Sequence, residues 1–302
     1  MIRLTSAEAF EAYERARGRL PAPRQSSAAP VEAATLAEIA DRFDVFLLDA
    51  YGVLNIGNNA IPGTAERIEA LRQGGKRVLV VSNAASLTRQ DLGEKYHRLG
   101  YDFDLADIVS SRAALAVALE AQAPRCWGVM APPEARLDDL CNARMISLED
   151  DPAAYAEADG FLLVGSDTWT ETRQALLEDS LRAAPRPVLV ANPDIIAPRD
   201  EGFSAEPGYF AHRIADRLGI EPAFYGKPFA NIYDLALARI GREVPPSRVL
   251  MVGDSLHTDI LGAQTAGVAS ALVAEFGFFE GLDIPNAIAR TAIVPDFIIR
   301  RP

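Results

Sequence analysis

Four short stretches of the chain place chemistry-bearing side chains at the ends of apolar runs. "DVFLLDAYGVLN" (44–55) runs apolar from Val45 to Leu48 and stops on Asp49. "KRVLVVSN" (76–83) stops on Ser82 and Asn83. "AFYGKP" (223–228) carries Lys227, and "SRVLMVGDSLHTD" (247–259) carries Asp254 and, one helical turn on, Asp259. A carboxylate at the end of a hydrophobic strand costs free energy unless something is paired with it. Together the four supply a carboxylate of nucleophile type, a hydroxyl with backbone N–H groups, a cation, and carboxylates of metal-ligand type. Each alone has a plainer reading, because strand-ending Asp and Ser often cap turns and helices. The four in this order argue for one site. Lys227 is the most telling, since the chain has three lysines (Lys76, Lys95, Lys227) against 27 arginines. A lysine kept in a Gly-Lys-Pro turn suits a place that wants a compact ammonium and not a guanidinium fork.

The elements that must position these residues alternate. The pattern predicts a helix over 1–20, a Pro/Ser/Ala-rich linker over 20–30, and a second helix over 31–43 feeding the strand at 44–49. Strands follow at 76–83 and 106–111, with helices at 88–100 and 112–123. A second series comprises strands 125–130, 159–165 and 186–194, helix 170–184, a Gly/Pro-rich loop at 197–208, and helix 209–219. The last third has helix 229–240, strand 247–255, helix 258–266, strand 269–276 and a final apolar "PDFII". Alternation of this kind predicts an α/β protein with parallel sheets covered by helices. In such sheets ligands bind at the carboxyl ends of the strands, where all four stretches place their polar residues.

Composition narrows the partners. The 302 residues are enough for two domains, and 49% hydrophobic content builds a sizeable core. A formal net charge of −12 argues against nucleic-acid binding. No stretch reaches the roughly 18 apolar residues of a membrane span. The charged N-terminus lacks the apolar core of a signal peptide. Cys126 and Cys141 form no CxxC motif; Cys126 reads as a small buried hydrophobe. A reducing cytoplasm is the expected compartment. His97 and His212 read as surface residues of helices, His257 as an exposed loop residue, and Trp169 as core.

With these motifs in view, the chain resembles the haloacid dehalogenase (HAD) superfamily. "LLDAYGVLN", "VVSN", "GKP" and "VGDSLHTDI" match its four motifs in order, and "ANPD" (191–194) resembles the cap signature of the subgroup with a large α/β cap between motifs two and three. That subgroup includes many predicted sugar phosphatases. The resemblance implies a doubly wound parallel-sheet core (40–124 and 222–302) with an inserted smaller α/β cap (125–221), leaving 1–39 as an N-terminal extension. It implies a Mg²⁺-dependent phosphatase acting on a small phosphorylated metabolite. Asp49 would form an aspartyl-phosphate. Mg²⁺ would be held by Asp49, Asp254 and the carbonyl of Tyr51, with Asp259 orienting its water shell. Lys227 would add a second cation, and Ser82 with the N–H of Asn83 would hold phosphoryl oxygens. Asn192 and Asp194 would face the core and help close the site. Gly52 would permit the turn at Tyr51. Caps of this size often pair, which makes a homodimer the oligomeric expectation.

The departure is Tyr51. Phosphatases of this superfamily usually read Asp-x-Asp in motif one, and the second Asp protonates the leaving group and later activates water. Three readings stay open. One is a phosphatase with a weakened acid/base step, in which Tyr51 takes that catalytic position. Another is a metal-independent 2-haloacid dehalogenase, whose motif one "DAYG" also resembles, although such chemistry does not need the metal-type "GDSLHTD". The third is a phosphoryl- or metabolite-binding protein that kept the pocket without turnover. Phosphonate cleavage through a cap lysine is nearly excluded, because 125–221 contains no lysine.

Overall fold

Val45–Leu48 is buried along its whole length. Its two faces pack on different clusters. Phe46 and Leu48 meet Ile68, Leu92 and Tyr96, while Val45 and Leu47 meet Ile232, Tyr233 and Ala263. Cover on both faces selects a continuous apolar run over an alternating one. The computed structural model describes residues 3–25, 28–123, 125–140, 143–199 and 202–302, so Cys141 lies outside the described residues.

Val45–Leu48 is an inner strand of a seven-stranded sheet. The order is Val31–Thr35, Phe297–Arg301, Ala269–Val273, Val249–Gly253, Val45–Leu48, Arg77–Ser82, Ile108–Ser110. Every neighbouring pair is parallel. From Val45–Leu48 the chain steps outward through Arg77–Ser82 to Ile108–Ser110, then returns on the other side at Val249–Gly253. The order therefore reverses between two adjacent strands, which opens a crevice at their carboxyl ends. Asp49 and Asp254 are the residues that follow those two strands.

Between Ile108–Ser110 and Val249–Gly253 the chain builds a smaller parallel sheet, ordered Ala223–Phe224, Val188–Val190, Gly160–Leu163, Trp127–Met130, Met145–Ser147. Helices cover it, including Glu171–Ala183 and Pro207–Leu218. The fold is thus the expected one: an α/β protein with a doubly wound parallel core and an inserted smaller α/β cap. Ala223–Phe224, expected with the core elements, pairs instead with the cap strand Val188–Val190.

Three further expectations need correction. The helix expected over 31–43 is instead the strand Val31–Thr35, parallel to Phe297–Arg301, followed by two short 3₁₀ turns. Its Ala/Glu/Leu content favours a helix by only about a few tenths of a kcal/mol per residue. The open sheet edge beside it supplies a row of hydrogen bonds that outweighs this. The loop expected over 197–208 contains part of a hairpin, Ile196–Pro198 against Phe203–Ala205, to which Arg3–Leu4 adds a third antiparallel strand. Helix Thr64–Gln73, absent from the sequence expectations, is mostly polar and buries only Thr64, Ile68 and Leu71.

The N-terminal segment is no peripheral extension. Helix Ser6–Arg15 starts at a capping box in which Thr5 and Glu8 satisfy each other's backbone N–H groups. Its buried face, with Phe10 and Tyr13, packs on Leu256, Ile260 and Phe278 of the core and on Ile195 and Ile196 of the cap. The Tyr13 hydroxyl accepts from the Ile195 N–H at 2.9 Å. This segment buries two histidines that were expected at the surface. His257 stacks on Tyr13 with ring centroids 4.6 Å apart and meets Glu14 at 2.8 Å. His212 accepts from Arg19 Nε through its Nδ1 at 3.2 Å. Trp169 is buried in the cap and His97 is exposed, as expected, whereas Cys126 is only half-buried.

Candidate active site

Two adjacent strand ends bring the acidic residues together. The Asp49 N–H donates to the Val252 carbonyl at 2.9 Å, which fixes the start of its loop against the neighbouring strand. After Val249–Gly253 the chain enters a wide π-type turn, Leu256–Ile260, before helix Leu261–Ala266. That turn folds the Asp259 carboxylate back, so that its Oδ2 accepts from the N–H groups of Asp254 and Ser255, both at 3.1 Å. Asp49, Asp254 and Asp259 each present an oxygen within 4.8 Å of the others. Lys227 is wedged between two of them, with Nζ at 2.5 Å from Asp49 Oδ1 and 2.7 Å from Asp259 Oδ1. Asp49's side chain keeps 13% of its surface open while that of Asp259 keeps none, so of this ion-paired pair only Asp49 can meet a ligand.

Asp254 is seated between two glycines. A Cβ on Gly52 would lie 2.3 Å from its Oδ2, and one on Gly277 would lie 1.9 Å away. Both glycines have positive φ, +79° and +78°, so the loops that wrap this carboxylate need glycine twice over. Asp254 Oδ2 also accepts from the Phe278 N–H at 2.7 Å.

The charges do not balance. Burial, followed by the charge of Asp259, pushes the Asp49 carboxyl up, and Lys227 pulls it the other way. Burial, then Asp259 and Asp49, pushes Asp254 well above the usual carboxylate range. Burial alone would lower the Lys227 ammonium, but Asp259 and Asp49 outweigh it and hold it high. Three crowded carboxylates with one ammonium leave negative charge where desolvation makes it costly. The donor set is all oxygen, which suits Mg²⁺. Both Asp259 oxygens are already engaged, so lone pairs for an ion remain mainly on Asp49 and Asp254.

Asn83 joins core to cap. Its Oδ1 accepts from the Lys227 N–H at 2.7 Å, and its Nδ2 donates to the Lys227 carbonyl at 3.0 Å and to Asp194 Oδ1 at 2.7 Å. Asp194 reaches the site in this way, its carboxyl held high by burial first. Asn192 accepts from the Asp194 N–H at 3.0 Å and donates to Glu206 at 3.1 Å. Ser82 Oγ accepts from the Ala84 N–H at 3.2 Å. Asn83, Ser82, Asn192 and Asp194 all line the pocket above Asp49.

Tyr51 lines the same pocket between two cations. Its hydroxyl accepts from Lys95 Nζ and from Arg199 Nη1, each at 3.2 Å. Lys95 comes from core helix Arg89–Arg98, and Arg199 follows cap strand Ile196–Pro198. Sequence reasoning missed Lys95, Arg199 and the pocket-lining Tyr13. The signal for Lys95 was present, since the rarity that singled out Lys227 applies equally to it. Nothing in the sequence marks one arginine among 27.

Known proteins match the chain at the level of family and fold. A haloacid dehalogenase-like hydrolase family model matches residues 46–139, and a second HAD-hydrolase-like model matches 224–299. Human chronophin is 30% identical over 79% of this chain and 83% of its own length. The 4-nitrophenylphosphatase of Schizosaccharomyces pombe is 25% identical over 87% of this chain and 93% of its own. The crystal structure of a possible sugar phosphatase from Cytophaga hutchinsonii, at 24% identity, superposes with a TM-score of 0.77 over 91% of this chain and 98% of that one, and so shares the fold. The chain belongs to the haloacid dehalogenase-like hydrolases.

Proposed function

We propose that the protein is a Mg²⁺-dependent phosphatase of small phosphorylated metabolites that works through an aspartyl-phosphate on Asp49. The observation that carries this reading is the trio Asp49, Asp254 and Asp259 within 4.8 Å, with Lys227 inserted between Asp49 and Asp259. The similarity to a relative named as a 4-nitrophenylphosphatase supports the same class of reaction.

Asp49 is the attacking group, because it is the ion-paired carboxylate that opens on the pocket. One of its oxygens bonds to phosphorus as the bond to the leaving oxygen breaks and that oxygen takes the electron pair. A carboxylate approaching an anionic phosphate is repelled, and the Lys227 ammonium lowers that repulsion at the attacking oxygen. Asp49, Asp254 and the Tyr51 carbonyl would hold the Mg²⁺, which would supply further positive charge beside the phosphoryl oxygens. Asp259 fixes Lys227 and the loop of Asp254. Ser82 and the Asn83 N–H hold phosphoryl oxygens in line for transfer. Water then cleaves the acyl phosphate, releasing phosphate and restoring Asp49. No second carboxylate follows Asp49 at the position of Tyr51, so protonation of the leaving oxygen and activation of water are the slow parts.

The test is turnover of 4-nitrophenyl phosphate and a panel of phosphorylated metabolites with Mg²⁺ and with chelator. Hydrolysis with Mg²⁺ that stops with chelator supports the reading. Dehalogenation of chloroacetate in chelator, or no ester turnover under any condition, contradicts it.

A further inference from the structure

One cation in the pocket has no role in that scheme. Lys95 is half-buried, lines the pocket beside Asp49, and spends one N–H on the Tyr51 hydroxyl. Its ammonium lies 4.4 Å from the centre of the Tyr51 ring. Among the described residues no carboxylate lies within ion-pair distance of it. Arg199, on the other side of the same hydroxyl, is balanced by Glu206 at 2.8 Å and Asp167 at 3.6 Å, and its Nε is bound to Ser204. The chain carries 42 acidic residues, yet this partly desolvated ammonium keeps two free N–H donors facing a pocket. Lys227 is paired with two carboxylates, and Lys76, the third lysine, donates to the Phe43 carbonyl at 2.8 Å at the amino ends of two inner core strands. An unpaired charge out of bulk water costs free energy that a bound counter-ion recovers.

Lys95 lines the same pocket as Asp49 but bonds the Tyr51 hydroxyl, whereas Lys227 is the ammonium paired with Asp49 itself. Resting on the phosphatase reading above, we propose that Lys95 binds a second anionic group on the leaving portion of the substrate. The substrate class is a phosphate monoester whose alcohol or phenol carries another negative charge. A compact ammonium suits this, because it accepts an anion from several directions without a fixed fork geometry. The carboxylates of Asp167 and Glu206 do not oppose it, since both are committed to Arg199.

The experiment compares phenyl phosphate with 3-carboxyphenyl phosphate, in Mg²⁺, for the parent, Lys95→Met and Lys95→Arg. Methionine keeps the apolar stem against the Tyr51 ring and removes the charge. The parent should prefer the carboxylated ester by about tenfold or more in kcat/KM, as charge-assisted hydrogen bonds allow, carried mainly by KM. Lys95→Met should remove that preference, and Lys95→Arg should restore part of it. A parent that turns over both esters equally overturns the inference while leaving the phosphatase reading intact. So does a Lys95→Met variant that loses both activities in equal proportion, because that is the signature of a structural prop. Turnover of neither ester by the parent overturns both.

Discussion

Tyr51 holds a phenol where the superfamily usually places a second carboxylate, and two cations grip its oxygen at 3.2 Å. With no carboxylate there to protonate a departing alkoxide, alkyl phosphates should turn over slowly beside aryl or acyl phosphates. Tyr51→Asp should speed alkyl-ester hydrolysis by up to about 10²-fold, the lower part of the usual range for acid/base help. Lys95 and Arg199 will draw the new carboxylate towards themselves, and loss of the ring leaves a cavity, so the aryl rate should not rise with it. Steady-state rates on one alkyl and one aryl phosphate, for both proteins, decide this; equal alkyl and aryl rates in the parent would mean that another group already supplies the proton. The aspartates separate in a second way. Asp259 is buried against Lys227 and two backbone N–H groups, so Asp259→Asn should lower Tm even in chelator, at a cost of about 3 kcal/mol for a broken buried pair. Asp254→Asn relieves crowding, so in chelator it should leave Tm unchanged or raised while weakening the Mg²⁺-induced rise in Tm. Thermal melts with and without Mg²⁺ check both, and equal destabilisation by the two variants would contradict the assignment. The strand-end residues were legible because their motifs are local in sequence. Lys95 and Arg199 were harder, because each reaches the site from a helix or hairpin that only tertiary packing brings there.

At the scale of elements, the alternation of strands and helices was readable because each inner strand is a short apolar run. The edge strand Val31–Thr35 was not, since three of its five residues face water and its partner lies at the far end of the chain. The role of helix Ser6–Arg15 was equally hidden: its amphipathic pattern announces a buried face but not what covers it. His212 offers a test of how firmly this segment is docked. Burial, then the charge of Arg19, pushes its imidazole down to about 4. The unfolded chain takes up that proton near the ordinary value of about 6.5. Between those values the unfolded state binds more protons, so the stability from neutral His212 is present above pH 6.5 and lost as pH falls towards 4. His212→Gln keeps an acceptor for Arg19 without titrating. The parent should lose more stability than this variant between pH 6.5 and 4.5, by of order 2 kcal/mol. Denaturant melts across that range measure the difference, and superimposable pH profiles would refute it.

At the scale of the whole molecule, the N-terminal segment and Asn83 both tie the cap to the core across the pocket. Arg3–Leu4 pairs with the cap strand Phe203–Ala205, helix Ser6–Arg15 packs on both units, and Arg19 pairs with Asp216 of the cap helix at 2.7 Å. Among the described residues no helix is long and apolar enough to cross a membrane. A pocket lies at the carboxyl ends of the core strands, with Asp49 as the ion-paired carboxylate that opens onto it. On the proposed mechanism Asp49 becomes phosphorylated during turnover. Slow water attack, expected without a second carboxylate, should let that species accumulate. The direct measurement is mass spectrometry of enzyme mixed with 4-nitrophenyl phosphate and Mg²⁺, quenched in acid and digested. The expected result is one added phosphoryl group on the peptide containing Asp49, absent in chelator and absent in Asp49→Asn, whose hydrolysis falls to background while its fold persists. Hydrolysis by Asp49→Asn at more than a few per cent of the parent rate, or a phosphoryl group on another residue, would contradict it.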